Sequence, residues 1–287
     1  MLFFSLKYYS YICSMNRETL NKLKNLLSVP THTWEEDRLI EHVINYISSL
    51  DSVNYYQDKL GSLYITKGDS STYPCLVAHL DSVHSITEME VMEEQLPNAQ
   101  GELKLALKAY DKEEGLPTGI GGDDKAGVFI CLQLLEKLDS CKVFLPVAEE
   151  TGCNGSKEAD PEFFTNVGYA IQFDSTENNT MSKTLMGVKL YEEESRFFGS
   201  VKDIILEHGF TKWLNHPYTD TMMLKKKFNF PCLNFAAGYY RYHTPYEYVV
   251  VEDVQNAINL GFKVVNQLGN KKYEFIHKPQ SHPYNLL

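Results

Sequence analysis

The sequence predicts an α/β domain in which helices cover both faces of a mostly parallel central sheet. Segments with apolar residues at three- and four-residue intervals alternate along the chain with short continuous apolar runs. The composition, with 43% hydrophobic and 13% aromatic residues, is that of a globular protein. At 287 residues the chain is near the upper limit for one hydrophobic core, so one large domain is expected.

The order of the elements follows from the two kinds of apolar spacing. Helical spacing covers five segments: 17–28, 35–50, 124–138, 195–208 and 251–268. Apolar runs that predict buried strands cover five others: 63–67, 74–81, 142–148, 168–173 and 231–235. Between 84 and 118, two alternating runs flank "NAQGE", which predicts a hairpin-like excursion from the main domain.

The two ends of the chain differ from its centre. Residues 1–14 are apolar and aromatic, but Lys7 interrupts them, they are too short to cross a bilayer, and they lack a small-residue cleavage site. Met15 begins an amphipathic segment, so 1–14 is predicted to be an N-terminal extension or a loosely held tail. One domain is predicted over 15–270, followed by a C-terminal tail over 271–287.

Charge and cysteine content argue against several classes of function. The formal net charge of -11 disfavours a nucleic-acid partner and an anionic membrane surface, because both are bound through Lys and Arg. The six cysteines contain no CxxC pair, which argues against a thiolate zinc site and a disulfide framework and predicts a cytoplasmic protein. The excess of carboxylates is compatible with simple solubility or with cation binding.

Acidic and histidine side chains lie where predicted strands end or where a helix begins. Five segments carry them: His79 with Asp81, Asp123 with Asp124, Glu149 with Glu150, Asp174, and His243. Open α/β sheets build their sites at the carboxyl ends of strands, so these side chains are expected to meet at one edge. Imidazole and carboxylate ligands without cysteine suit zinc, and also manganese or cobalt. Two such ions about 3.5–4 Å apart form the co-catalytic pair of aminopeptidases, and one carboxylate must bridge them.

Each residue taken alone has a simpler explanation. Asp123 or Asp124 could cap a helix, His79 could be a packed core histidine, and His243 could be structural. The adjacent glutamates could line a solvated sheet edge. Agreement of order and strand-end placement across five segments favours the metal site over these alternatives taken together. The remaining histidines lack a matching carboxylate context and are predicted to be surface or packing residues: His32, His42, His84, His208, His216, His277 and His282.

The ordered motifs "HLDSV", "GIGGDDKAG", "AEETG", "FDS" and "YHTPYE" resemble those of the di-zinc exopeptidases. This family includes leucyl-type aminopeptidases, tripeptidase (peptidase T), and desuccinylase and deacetylase relatives. The resemblance spans roughly Met15 to Gly269. It implies the zinc-exopeptidase (phosphorylase/hydrolase-like) fold, a metallopeptidase domain over 15–270, and two divalent metal ions, zinc or else manganese or cobalt.

The resemblance also implies a role for each motif residue. The metal ligands would be His79 and Asp174 on one ion, Glu150 and His243 on the other, and Asp123 bridging both. Asp81 would stand behind His79 and orient its imidazole. Glu149 would be the general base that takes a proton from the metal-activated water. Asp220 would lie near the substrate pocket, or it caps a helix.

These roles imply a metal-dependent exopeptidase acting on short peptides, either an aminopeptidase or a di/tripeptidase. Asp174 matches the aminopeptidases and tripeptidases, whereas desuccinylases and deacetylases usually carry Glu there. An N-acyl amino acid deacylase and a catalytically silent binding domain of the same fold remain alternatives. His243 follows Asp174 by 69 positions, too few for an inserted lid domain, so a lidless single-domain form is expected. The sequence leaves the oligomeric state open.

Overall fold

The computed structural model describes residues 15–216 and 218–274. The extension predicted over 1–14 and the part of the predicted tail beyond 274 therefore lie outside the described residues. The helices of the described part are Arg17–Leu27 (α1), Asp37–Ile47 (α2), Gly122–Lys137 (α3), Asn154–Lys157 (α4), Pro161–Phe164 (α5), Arg196–Gly199 (α6), Lys202–Glu207 (α7), Asp220–Phe228 (α8) and Val251–Leu268 (α9).

The strands of the described part form two sheets. They are Val53–Gln57 (β1), Leu63–Lys67 (β2), Tyr73–Val77 (β3), Met89–Pro97 (β4), Leu103–Asp111 (β5), Pro117–Thr118 (β6), Cys141–Leu145 (β7), Val167–Ser175 (β8), Thr180–Leu185 (β9), Val188–Lys189 (β10), Lys212–His216 (β11), Cys232–Ala236 (β12), Tyr239–Tyr240 (β13) and Tyr248–Val250 (β14). The helix predicted over 195–208 is two short helices, α6 and α7. The first of them ends at Gly199, a poor helix former.

The larger sheet has nine strands and a parallel centre. Its order is β1-β2-β7-β3-β8-β12-β9-β10, and β11 pairs with β9. The four central strands, β7, β3, β8 and β12, run parallel to one another, while β1, β2 and β10 join antiparallel at the margins. The carboxyl ends of the four parallel strands therefore meet at one edge of the sheet. The predicted fold class, a mostly parallel central sheet in an α/β domain, is confirmed.

Strand β8 is buried along its whole length because helices cover both of its faces. Successive residues of a strand point to opposite faces. Phe173 packs beside Gly261 of α9 and near Leu134 of α3, whereas the neighbouring Gln172 accepts the main-chain N–H of Thr221 in α8. Burial on both sides explains why the sequence shows a continuous apolar run here instead of alternation.

The smaller sheet is formed by two parts of the chain, residues 89–118 and residues 239–250. Its order is β13-β14-β5-β4, with β6 on β5. Strands β4 and β5 pair antiparallel over nine residues each, joined by a turn at 98–102. Strand β14 pairs with β5 and leads directly into α9. Residues from both sheets, such as Leu107 of the smaller and Phe144 of the larger, belong to one buried apolar cluster.

Helix α3 packs so closely on β8 that one of its positions must be glycine. A Cβ at Gly127 would collide with the Asp124 carboxylate and with the main-chain carbonyl oxygen of Phe173. Alanine in a helix interior is normally about 1 kcal/mol better than glycine, but overpacking costs about 1–3 kcal/mol. The carbonyl belongs to the sheet backbone and cannot rotate away.

We expect Gly127→Ala to lower the free energy of unfolding by up to about 2 kcal/mol in denaturant titrations, because the cost of the collision exceeds the roughly 1 kcal/mol that alanine gains in helix propensity. Gly199→Ala in α6 is the matched control, since a Cβ there meets no atom within 4 Å. The control is expected to be neutral or slightly stabilised. Equal stability of Gly127→Ala and the natural protein would contradict the packing described here.

No helix in the described ranges is both long and apolar enough to cross a membrane.

Candidate metal centre

The structure brings the five sequence-predicted segments together at the carboxyl edge of the central strands. His79 follows β3, Glu149 and Glu150 follow β7, and Asp174 is near the end of β8. Asp123 lies at the start of α3, and His243 lies in the turn between β13 and β14. The parallel order β7-β3-β8 places three of these segments on adjacent strands.

His79 is buried, and its two ring nitrogens face different partners. Nδ1 lies 3.3 Å from Asp81 Oδ1, while Nε2 lies 3.2 Å from Asp123 Oδ1 and 3.8 Å from Asp174 Oδ1. Burial lowers the pKa of His79, but contact with Asp123 and Asp81 outweighs that effect and raises the pKa well above the usual value. The main-chain carbonyl oxygen of Asp81 lies 3.2 Å from the same Nδ1, so the carbonyl and the carboxylate of Asp81 together fix the ring orientation and leave Nε2 directed at the other acids.

Asp123 lies between the two histidines. Its Oδ1 faces His79, and its Oδ2 lies 3.4 Å from His243 Nε2. The same His243 nitrogen lies 3.0 Å from Glu150 Oε1. Contact with the carboxylates of Asp123 and Glu150 raises the pKa of His243 to about 10. Among residues 15–216 and 218–274, Asp123 is thus the carboxylate that offers one oxygen to His79 and the other to His243.

Asp81 connects the His79 segment to the two glutamates. Its Oδ1 accepts the main-chain N–H of Glu149 at 2.8 Å, and its Oδ2 accepts that of Glu150 at 3.1 Å. The hydroxyl of Thr33 donates to Oδ2 as well. Contact with His79 holds the pKa of Asp81 below its usual range even though burial opposes ionisation. One carboxylate therefore positions both an imidazole and the turn that carries Glu149 and Glu150.

Replacing Asp81 by Asn is expected to weaken metal affinity by about 10–100-fold, the usual effect of losing a carboxylate behind a ligating histidine. Asparagine has one acceptor oxygen, so it cannot serve both glutamate N–H groups and His79. Competition with a chromophoric chelator would measure the change. Asp160→Asn is the control: Asp160 caps α5 and accepts from Tyr56. An unchanged affinity in Asp81→Asn would contradict the positioning role.

Glu149 is buried next to the cluster without an ion-pair partner among the described residues. Burial, with a contribution from nearby Asp220 and Glu150, raises its pKa to about 8, although His79 opposes the shift. The Cys153 thiol donates to Glu149 Oε1 at 3.4 Å.

The residue before Glu149, Ala148, has a left-handed φ of 52°, and His243 has a φ of 60°. Backbone strain of this kind concentrates at functional sites.

The capping alternative applies to Asp124 and not to Asp123. Residues 123 and 124 depart from helical dihedrals, so regular helix begins at Lys125. Asp124 Oδ1 accepts the N–H of Gly127, as a helix cap does, and Oδ2 accepts the N–H of His79. Asp124, His79 and Asp174 also have ligand atoms within 4.8 Å of one another. With both oxygens held by main-chain donors, Asp124 supports the segments that carry His79 and Asp123.

Two residues near the cluster, Tyr239 and Gln172, were not assigned to it from the sequence, whereas Asp220 was expected near the substrate pocket or as a helix cap. Tyr239 and Gln172 donate to the two oxygens of Asp174, each at 3.2 Å. Gln172 also donates to Asp220, which accepts the Ser156 hydroxyl as well. Asp220 is the first residue of α8, and the cap of that helix is Thr219, so Asp220 is not the helix cap. Its carboxyl group is buried. Burial raises the pKa of Asp220 to about 6. The sequence signal for Gln172 was a polar residue inside the otherwise apolar run of β8.

The interpretation of His84 as a histidine without a carboxylate context was wrong. Its Nε2 lies 2.8 Å from Oε2 of the buried Glu247. Glu247 is four residues beyond His243 and is the last residue of "YHTPYE", which was the available signal. Among the other histidines, His208 contacts Asn256 and His32 contacts the main-chain carbonyl of His84. His216, His277 and His282 have no described side chains.

The donors of this cluster fit divalent cations. His79, Asp123 and Glu150 each offer a ligand atom, and these atoms lie within 4.8 Å of one another. Burial and neighbouring acids raise the pKa of Asp174 well above normal, as expected where carboxylates crowd together. Positive charge inside the cluster would relieve that crowding. The nitrogen and oxygen donors, without a thiolate, suit zinc, manganese or cobalt.

Comparison with solved structures identifies the fold. An aminopeptidase PepT from Bacillus cereus aligns over 88% of this chain and 99% of its own with a TM-score of 0.70 and 14% identity. A tripeptidase from Staphylococcus aureus aligns over 89% of this chain and 99% of its own with a TM-score of 0.68 and 12% identity.

A third solved structure has the same fold. A TET peptidase from Pyrococcus horikoshii, which can assemble into a tetrahedron or an octahedral shell, aligns over 85% of this chain and 98% of its own. Its TM-score is 0.61 at 14% identity. No protein-family model and no curated protein matches the chain by sequence. The fold that the motif resemblance implied is confirmed: this chain has the fold of the exopeptidases represented by PepT and the TET peptidases.

Proposed function

We propose that this protein is a metal-dependent exopeptidase that hydrolyses short peptides at a pair of divalent metal ions. The observation that carries the proposal is the position of Asp123, whose two oxygens face His79 on one side and His243 on the other. A carboxylate shared between two imidazoles is the arrangement that a co-catalytic pair of ions needs. The structural neighbours described as aminopeptidase and tripeptidase support the same reaction class.

The ligand set follows from the side-chain geometry. His79 and Asp174 would hold one ion, His243 and Glu150 the other, and Asp123 both. When bound, such ions lower the pKa of a coordinated water molecule to about 7 and polarise a peptide carbonyl. Asp81 holds the His79 ring through Nδ1, so Nε2 stays directed at Asp123 and Asp174. Zinc is the preferred ion, with manganese or cobalt as alternatives.

Glu149 is the proton carrier in this proposal. Its carboxyl group is buried, sits close enough to His79 and Asp123 for their charges to affect its pKa, and is no member of the ligand set. It takes the proton of the attacking water and delivers it to the nitrogen of the leaving amine. The Asp81 contacts to the N–H groups of Glu149 and Glu150 keep the base and its ligand neighbour in fixed relative positions.

The substrate class rests on the resemblance and on one residue. Asp174 stands where aminopeptidases and tripeptidases carry Asp, which favours short peptides with a free amino terminus. The described segment between Asp174 and His243 supplies β9 and β12 to the central sheet, together with α8, which covers β8. We propose a single catalytic domain over 15–270 without a separate lid, acting in the cytoplasm.

A mass-spectrometric substrate screen tests the proposal. Zinc- or cobalt-loaded protein is incubated with di-, tri- and longer peptides, with their amino-acetylated and carboxyl-amidated forms, and with N-acyl amino acids. The expected result is release of one amino-terminal residue, lost on chelation and on acetylation of the amine. Cleavage confined to N-acyl amino acids would replace the proposal with a deacylase. No cleavage by protein shown to hold two ions would indicate a binding domain.

A further inference from the structure

Glu247 is a buried carboxylate for which the reaction as proposed has no use. It is 1% exposed and lies four residues beyond His243, immediately before β14. Its Oε1 accepts the main-chain N–H of Asp123 at 2.9 Å, and its Oε2 accepts that of Gly121 at 2.8 Å. His84 Nε2 lies 2.8 Å from the same Oε2. All three partners belong to segments that carry proposed metal ligands.

These contacts connect three segments that are distant in the sequence. His84 belongs to the segment that begins at His79, and Glu247 belongs to the His243 segment. Gly121 and Asp123 lie at the non-helical start of α3, which is called the Asp123 turn below. Pairing of β14 with β5 fixes the main chain just beyond Glu247, since Tyr248 pairs with Lys108. The Glu247 carboxylate therefore contacts the Asp123 turn from a main chain that is anchored by the pairing of β14 with β5.

The glycines of "TGIGGDD" leave room for this arrangement. A Cβ at Gly119 would overlap the ring of His84, and a Cβ at Gly122 would lie 2.7 Å from a methyl carbon of Val249 and 3.3 Å from Glu247 Oε1. Close packing on both sides holds the imidazole and the carboxylate in one geometry. The glycine-rich turn thus accommodates a side-chain pair from two other segments.

We propose that Glu247, supported by His84, is a positioning residue that aims the bridging carboxylate of Asp123 and joins the segments of both metal positions. This inference rests on the proposed function, since it concerns the same metal centre. Holding the Asp123 N–H fixes the main chain from which the bridging side chain projects. Because Asp123 serves both ions, releasing that N–H is expected to weaken both and not one alone.

Glu247→Gln is the informative substitution because it keeps the size of the side chain. An amide has one acceptor oxygen, so Gln cannot accept from both Gly121 and Asp123, and its NH₂ group faces one of the two N–H donors. His84→Gln is the milder second variant, since it leaves both main-chain contacts of Glu247 in place. Asp253→Asn is the matched control: Asp253 is a partly buried carboxylate of α9 whose two oxygens accept from the side chains of Tyr240 and Asn178, and neither of these is a proposed ligand or a partner of Glu247.

Two measurements on the full chain test the proposal. Cobalt titration followed by visible absorption reports affinity and coordination, and Glu247→Gln is expected to bind cobalt about 10–100-fold more weakly with an altered spectrum. Amide hydrogen exchange of the metal-free proteins reports the two main-chain hydrogen bonds to Glu247. The Asp123 and Gly121 N–H groups are expected to exchange at least about tenfold faster in Glu247→Gln. His84→Gln is expected to fall between Glu247→Gln and the natural protein, and Asp253→Asn to match the natural protein in both measurements.

The two measurements separate this inference from the proposed function. If the natural protein binds no cobalt, the proposed function fails. The exchange rate of the Asp123 N–H still tests whether Glu247 holds that group. If it binds two ions and Glu247→Gln binds them with the same affinity and spectrum, the positioning role is overturned. Equal losses in Glu247→Gln and Asp253→Asn would also overturn it, because a general loss of stability would then explain both. Should Glu247→Gln fail to fold, normal affinity and exchange in His84→Gln would overturn the role assigned to the pair.

Discussion

Replacing Glu149 with Gln is expected to lower kcat by about 10²–10⁴-fold while both metal ions stay bound. Glutamine has nearly the shape of glutamate but cannot take a proton at this position. The main-chain N–H of Glu149 still donates to Asp81, so the turn and its neighbour Glu150 keep their places. None of the five proposed ligand side chains is altered. The loss therefore falls on proton transfer.

The measurement combines steady-state kinetics with metal analysis of the same samples. KM is expected to change by less than about threefold, because the lost interaction acts in the transition state. Glu158→Gln, at an exposed position beyond α4, is the control and is expected to retain full activity. A Glu149→Gln protein that loses both ions would show that Glu149 is a ligand. A protein that keeps both ions and normal turnover would rule out Glu149 as the base.

Removing the metal ions is expected to lower the melting temperature, and by more at pH 8 than at pH 6. Each ion present at about 100 times its dissociation constant adds about 2.7 kcal/mol, which corresponds to roughly 5–10 °C per ion for a protein of this size. The pKa values of Asp174 and Glu149 are raised by burial, that of Glu149 to about 8. Contact with carboxylates raises the pKa of His243 to about 10.

The direction of the pH effect follows from these shifts. A group whose pKa is raised on folding stabilises the fold below its unfolded pKa, and that stability is lost as the pH rises toward the folded value. For Glu149 the loss extends from about 4.5 to about 8, and for His243 from about 6.5 to about 10. Metal-free protein is therefore expected to lose stability between pH 6 and pH 8. Metal binding displaces protons from both histidines, so its stabilising effect grows over the same interval.

Calorimetric scans with and without chelator, at several pH values, measure this difference. Asp123→Asn, which lacks the bridging carboxylate, is the control in which the chelator is expected to have little effect at any pH. A chelator effect of the same size in that variant would show that the ions bind elsewhere. A metal-free protein whose stability rises from pH 6 to pH 8 would contradict the assignment of the raised pKa values.

Local pattern was sufficient to predict the fold class and most buried elements. The run "LYITK" is β2, and the apolar spacing over 251–268 is α9. Strand β1 was missed because four of its five residues are exposed and carry no apolar alternation. Strand β9 was missed because its buried positions include Thr180 and Ser182, which form hydrogen bonds inside the sheet. Hydrogen bonding let polar residues occupy positions that a hydrophobic pattern cannot reveal.

The sequence by itself determined which histidine and acidic side chains lie at the ends of the central strands, because a side chain that follows a buried strand is placed by local pattern alone. Only the tertiary structure decided how those residues are held. Glu247 meets Asp123 across 124 positions of chain, and His84 meets Glu247 across 163. Such contacts depend on the pairing of β14 with β5 and on the packing of the Asp123 turn, and no local spacing encodes either. A buried carboxylate needs donors from wherever the fold supplies them, so its partners are fixed by topology and not by sequence distance.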